Sequence, residues 1–239
     1  MLTDMSVTTS HRRVGRPAAD SGVRERLVSA AAEVFAVSGY HASRVSDIVA
    51  RAGVAQGTFY LYFRSKEAVF LELVDRFFTR TLAETLGAAD PEEAATAADV
   101  VAQVRAMWRT LIVRCRQQPA AATAVLRDAP ALGPEIRDRV RGYYERIAGG
   151  VAAYITVASG RGLARPVDAR LAGWLVQGLV DRAMYYALVL DPGADADWLA
   201  DQLMTVEGGG LLTHWDDAWL TRAPRKEDNH DDNGRSSPG

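Results

Sequence analysis

Apolar residues recur every three or four positions along most of the chain, and no segment of useful length alternates with period two. The first clear stripe is Val23, Leu27, Ala30, Ala31, Val34 and Phe35, which Gly39 closes as a residue just past a helix end would. Ser43 is the expected N-cap of a second helix with Val45, Ile48, Val49 and Ala52 on its apolar face. Gly53 supplies a turn, and Val54 to Tyr62 form a third helix. Ser65 caps a fourth helix running to about Leu86, with Val69, Phe70, Leu73, Val74 and Phe77 inside. Residues 87–91 read as a boundary, after which alanine becomes frequent. Pro91 and Glu92 are expected to open a helix to about Gln118, with Val100, Val104, Met107, Leu111 and Ile112 as its stripe. Further helices are predicted from Pro119 to about Ala129, Pro134 to about Ser159, Val167 to Leu190 and Asp195 to about His214. A loop at 160–166 and an Asp191-Pro192-Gly193 turn separate the last three.

The pattern predicts an all-α fold: a three-helix helix-turn-helix head and a larger helical body. The expected boundaries are 1–20 for a flexible basic arm, 21–66 for the head, 67–222 for the body and 223–239 for a polar tail too poor in apolar residues to fold alone.

With 48% hydrophobic residues the chain can bury a sizeable core. No run of 18 apolar residues predicts a membrane span. The N-terminus lacks the apolar stretch of a signal peptide, and the single cysteine, Cys115, has no internal partner. The expected location is therefore a reducing cytoplasm. The formal net charge of −2 argues against a nucleic-acid partner until its distribution is considered. Residues 11–66 hold nine Lys/Arg and four Asp/Glu, so a +5 front precedes a −7 remainder. That asymmetry suggests a polyanion partner for the front alone.

The densest chemistry lies between Ser43 and Glu67. Gln56 and Thr58 can hydrogen-bond base edges or phosphates, and Gln suits adenine. Gly57 has no Cβ, so backbone there can approach DNA closely. Tyr60 and Tyr62 offer hydroxyls to the phosphate backbone, and the Tyr60 ring can meet a thymine methyl. Lys66 stands at a helix start, where N–H groups and the dipole already favour a phosphate. Ser43 and Arg44 begin the first helix of the pair, beside the neighbouring phosphates. Arg12, Arg13 and Arg16 suit a narrow minor groove. Phe59, Phe63, Val45, Ile48 and Val54 are expected to be core, and Arg51 a solvated helix residue.

Several motifs together resemble the TetR (tetracycline-repressor-like) family of one-component bacterial transcription regulators. They are the Gly15-Arg16-Pro17 arm, the Ala31-to-Tyr40 run ending Gly39-Tyr40, the Ser43-to-Val54 stretch, and Gly57-Thr58-Phe59-Tyr60 with Tyr62-Phe63 and Ser65-Lys66-Glu67. Ala55 stands where the family often has serine, so a contact there offers only a methyl group. The resemblance implies a homodimer on a double-stranded DNA operator, a small-molecule effector of unknown identity, and no membrane partner.

In the body, the resemblance implies a pocket and a dimer interface. Pocket candidates are Met107, Trp108, Leu111, Tyr143, Tyr144, Ile147, Trp174, Met184 and Tyr185; at helical spacing each also reads as ordinary core. Interface candidates are Leu171, Leu175, Gly178, Leu179, Leu203, Val206, Gly209 and Leu212. Gly208-Gly209-Gly210 costs about 1 kcal/mol per glycine in a helix, which fits either close approach across an interface or a helix break. Asp181 and Arg182 read as a structural ion pair or, less simply, an anchor for an anion. The scattered histidines (11, 41, 214, 230) have no metal-ligand spacing, and no phosphate loop or nucleophile motif is present. No cofactor, metal or enzymatic activity is expected. The expected function is a sequence-specific regulator, a repressor released from a palindromic operator by an effector. The alternative is a ligand-independent DNA-binding or helical interaction protein.

Overall fold

The computed structural model describes the backbone of residues 18–86 and 89–211, with side chains over 22–85 and 89–208. Arg12, Arg13, Arg16, Leu212, the predicted tail and the surroundings of Gly209 lie outside the described residues. Every regular element among the described residues is helical. In order they are α1 (Ala18–Ser38), α2 (Val45–Ala52), α3 (Gln56–Tyr62), α4 (Lys66–Leu86), α5 (Ala97–Gln117), α6 (Pro119–Asp128), a 3₁₀ turn (Ala129–Ala131), α7 (Pro134–Gly160), α8 (Ala169–Tyr185), a π turn (Tyr186–Leu190) and α9 (Ala196–Leu211).

Two compact units result. The first joins the described part of Met1–Arg80 to Gln118–Tyr143, so α6 packs with α1 to α4 although it follows α5 in sequence. The second joins Thr81–Gln117 to the described residues from Tyr144 onward. Helices α4 and α7 contribute residues to both.

In the first unit, Leu27, Ala31 and Phe35 of α1 bury against Ile48, Phe59 and the Val69-Phe70-Val74 face of α4, all fully or nearly fully inaccessible. Full burial of each leucine, isoleucine, valine or phenylalanine among them contributes about 1.5–3 kcal/mol before entropy is counted. Outside that core, Arg24 of α1 and Arg76 of α4 both grip Glu72, and Arg76 also reaches Glu25. The hydrogen bond from Arg24 leads in holding the Glu72 carboxyl below its usual range, against the opposing effect of burial.

In the second unit, α5 and α9 are tied by Arg105 to Asp201 (2.5 Å), Arg109 to Asp197 (3.0 Å) and the Trp108 indole N–H to Glu207 (2.7 Å). Helix α8 lies so close to α7 that a Cβ on Gly173 would fall 3.1 Å from the Ala148 carbonyl carbon and closer still to its oxygen.

Two starts differ from the sequence expectation. Helix α5 begins at Ala97, not near Pro91, because Thr96 and Asp99 cap it reciprocally. Asp99 N–H donates to Thr96 Oγ1 (3.2 Å) and Thr96 N–H to Asp99 (2.8 Å). Helix α8 begins after Asp168, which accepts from Leu171 N–H (2.9 Å), and its regular turns stop at Tyr185 before the π turn.

Candidate nucleic-acid interface

Helices α2 and α3 meet through a glycine turn. Gly53 sits at φ 64° and ψ 40°, a left-handed conformation that side chains with a Cβ rarely adopt. Its N–H donates to Ala50 O (3.3 Å) and that of Val54 to Val49 O (3.1 Å), the paired bonds of a Schellman motif. Ile48 and Val49 bury one face of α2, and Asp47 accepts from Arg44 N–H (2.8 Å) at its start. Arg44, not Ser43, is the N-cap residue. The Ser43 side chain, 3% exposed, instead donates to Tyr40 O (2.8 Å).

Helix α3 is seven residues long and anchored by two aromatics, Phe59 and Phe63. With these inward, Gln56, Gly57 and Tyr60 are left exposed, Tyr60 at 54%. Thr58 and Tyr62 are half-buried. Ala55 is exposed at the N-cap and provides no side-chain cap. Sequence reasoning missed Leu61, which holds an apolar side chain 77% exposed on the same face. The only sequence signal for it was its place one residue past Tyr60, off the Phe59–Phe63 face. Arg44 and Arg64 are exposed beside this surface, and Arg51 pairs with Glu33.

Lys66 differs from expectation. Its ammonium donates to Tyr40 O (2.5 Å) and Ser43 O (2.8 Å) and lies 4.3 Å from the centre of the Tyr40 ring. Burial pulls its pKa below the ordinary lysine value. Two of its three N–H donors are thus spent holding the segment before α2, leaving one for a phosphate.

The body candidates separate. Tyr143 belongs to the first unit, where its hydroxyl donates to Asp75 (2.9 Å) and its ring stacks on Phe78 at 4.6 Å. Trp108 and Met184 are buried in the second unit, and Met107, Leu111, Tyr144, Ile147 and Tyr185 half-buried there. Tyr144 donates to Asp181 (3.1 Å), and Asp181 pairs with Arg182 (2.6 Å), the structural reading of that pair. Trp174 is not interior: it is exposed beside Leu171, Leu175 and Gly178 on the outer face of α8. On α9, Val206 is 68% exposed and Leu179 of α8 half-buried, but Leu203 turns into its own unit's core. Cys115 is buried, and desolvation pushes its thiol up to about 12. No helix among the described residues is long and apolar enough to cross a membrane.

Residues 27–73 match the family described as bacterial regulatory proteins, tetR family. YdgC of Bacillus subtilis, an HTH-type transcriptional regulator, is 54% identical over 57 residues, which make up 24% of this chain and 29% of YdgC. The chain thus spans less than a third of that relative. The fatty acid metabolism regulator protein of Bacillus subtilis is 29% identical over 191 residues, 78% of this chain and 94% of the relative. The solved structure of FadR from Bacillus subtilis, in complex with stearoyl-CoA, aligns at a TM-score of 0.62 and 25% identity, covering 77% of this chain and 96% of that one. A matched region, a relative followed over nearly its whole length and a similar solved structure point the same way: residues 27–73 are a helix-turn-helix region of the tetR family of bacterial regulatory proteins.

Proposed function

We propose that the protein is a homodimeric transcriptional repressor that grips a palindromic operator with two α3 helices and releases it when a small molecule binds the body. The observation that carries this reading is the outward face of α3. Gln56, Gly57, Tyr60 and Leu61 are presented together while Phe59 and Phe63 hold the helix from behind. A short helix so anchored can enter a major groove with polar and apolar groups aimed at base edges. Arg44, Thr58, Tyr62 and the remaining N–H of Lys66 serve the flanking phosphates. Arg12, Arg13 and Arg16 serve the adjacent minor groove.

The exposed apolar faces of α8 (Leu171, Trp174, Leu175) and α9 (Trp198, Val206) support dimerisation through a two-fold four-helix contact. Half-sites lie one turn, roughly 34–36 Å, or a multiple apart, so a shift of a few ångströms in the separation of the two α3 helices breaks simultaneous engagement. The effector need favour the released spacing by only a few kcal/mol. The relative that the chain spans almost end to end regulates fatty acid metabolism, and the similar FadR structure holds stearoyl-CoA. A long-chain acyl thioester is therefore the first effector to test. Such a regulator works in the cytoplasm, beside the chromosome.

The test begins by selecting duplexes from a random library with the full chain and titrating the winner in a gel shift. Tyr60→Phe is expected to weaken binding to all duplexes, and Gln56→Ala to change the preferred base at one position of each half-site. Stearoyl-CoA is expected to release the wild-type complex. Selection of no sequence, or wild-type affinity and preference in both variants, would sink the reading. Operator binding untouched by any acyl thioester would favour the ligand-independent alternative.

A further inference from the structure

The segment that leads into α2 is held from outside the helix-turn-helix by the last two residues of α6. Arg127 donates through Nη2 to Phe35 O (2.5 Å) and through Nη1 to Ala36 O (3.0 Å), two carbonyls of the last turn of α1. A guanidinium there meets the negative end of the helix dipole and adds a second donor to Phe35 O, which already accepts the Gly39 N–H (2.8 Å). Asp128 accepts the Tyr40 N–H (2.9 Å), just beyond the turn at Gly39. The two side chains brace each other, Arg127 Nε to Asp128 Oδ1 at 2.8 Å and Nη2 to Oδ2 at 3.1 Å. One dipeptide therefore grips the chain on both sides of the α1–α2 turn.

Tyr40 is the hub of that turn. Its ring packs on Phe35 (5.4 Å) and Phe70 (5.2 Å) and under the Lys66 ammonium. Its carbonyl accepts from Lys66 and from the Ser43 hydroxyl. Ser43 is the residue before Arg44, the N-cap of α2. The start of α2 is thus fixed by a relay from Asp128 through Tyr40 and Ser43.

We propose that Arg127 and Asp128 are positioning residues for DNA reading, and that the final turn of α6 sets operator affinity by placing the start of α2. The proposal rests on the DNA-binding reading above and assigns its regulation to these two side chains.

The experiment compares wild type, Asp128→Ala, Asp128→Asn and Arg127→Lys as full chains. Amide hydrogen exchange is followed over residues 39–44, and affinity measured for the duplex that the wild type selects. Asp128→Ala is expected to lose protection at Tyr40 and to bind on the order of tenfold more weakly, within the usual range for coupled sites. Asp128→Asn keeps an acceptor for the Tyr40 N–H, so it is expected to recover both. Arg127→Lys keeps the charge but not the fork and should fall between. A general loss of stability would not be rescued selectively at one amide. If Asp128→Ala fails to fold, the Asn and Lys variants carry the comparison. Unchanged exchange and affinity within twofold in the folded variants would overturn the proposal. If the wild type selects no duplex, the DNA-binding reading fails separately. The exchange data then still decide the clamp: protection at Tyr40 lost in the Ala variant and regained in the Asn variant supports it, and unchanged protection refutes it.

Discussion

Helix α3 starts without a side-chain cap, and that defect yields a quantitative prediction. Ala55 occupies the N-cap with φ −72° and ψ 151°, extended values that serine adopts without strain. The Thr58 N–H already reaches the Ala55 carbonyl (2.9 Å), but no side chain answers the open N–H groups of the first turn. In Ala55→Ser, the new hydroxyl can accept from the Gly57 or Thr58 N–H. N-cap substitutions of this kind change stability by about 1 kcal/mol. Phe59 and Phe63 already hold α3 in place, so the cap adds its bond without first paying to order the helix. With a urea m-value of about 1–3 kcal/mol/M, the midpoint should rise by roughly 0.3–1 M, read by circular dichroism on the full chain. The same hydroxyl lies beside the proposed phosphate track, so affinity for the selected duplex should also rise. It carries no charge and releases no counterion, so plots of log K against log salt for the two proteins should be parallel. An unchanged or lower midpoint, or a steeper salt slope, would refute the argument.

Gly173→Ala should destabilise the second unit by about 1–3 kcal/mol, read as a lower thermal midpoint, because the added methyl meets the backbone carbonyl of Ala148 rather than a side chain that could turn away. Burial raises the Glu207 pKa despite its bond from Trp108, so the folded chain favours the protonated acid and stability is lost as pH rises from the unfolded value, about 4.3, through the folded one. Glu207→Gln keeps the acceptor for the indole and cannot ionise, so melting at pH 7.5 should exceed wild type and the gain should shrink towards pH 4; a gain independent of pH would contradict this. Cys115, with its thiol pushed up to about 12, should react with a colourimetric disulfide reagent only after denaturation.

Signals that act within one or two turns were legible in the sequence. Ser65 caps α4 through the Ala68 N–H (3.1 Å), and Gly39 and Gly53 take the left-handed conformations their places imply. The start of α5 was misplaced although Thr96 and Asp99 carry a capping box, because Pro91 offered a competing start. Local position in the sequence points Ser43 and Lys66 at DNA, but the Ser43 hydroxyl turns back to Tyr40 O within the same turn, and Lys66 spends two of its N–H donors on the distant Tyr40 and Ser43 carbonyls. The Asp128 bond to Tyr40 crosses 88 residues and has no local signature at all. Helix α8 marks the deeper limit. Its period identifies apolar residues but not which side they face, and this helix is apolar on two sides. Val176 and Met184 turn inward, while Leu171, Trp174 and Leu175 remain exposed. One stripe is covered by the chain's own helices. A second stripe of bulky apolar side chains left in water costs about 25 cal/mol per Å², a cost that a partner removes, and this is why the proposed function requires two copies of the chain.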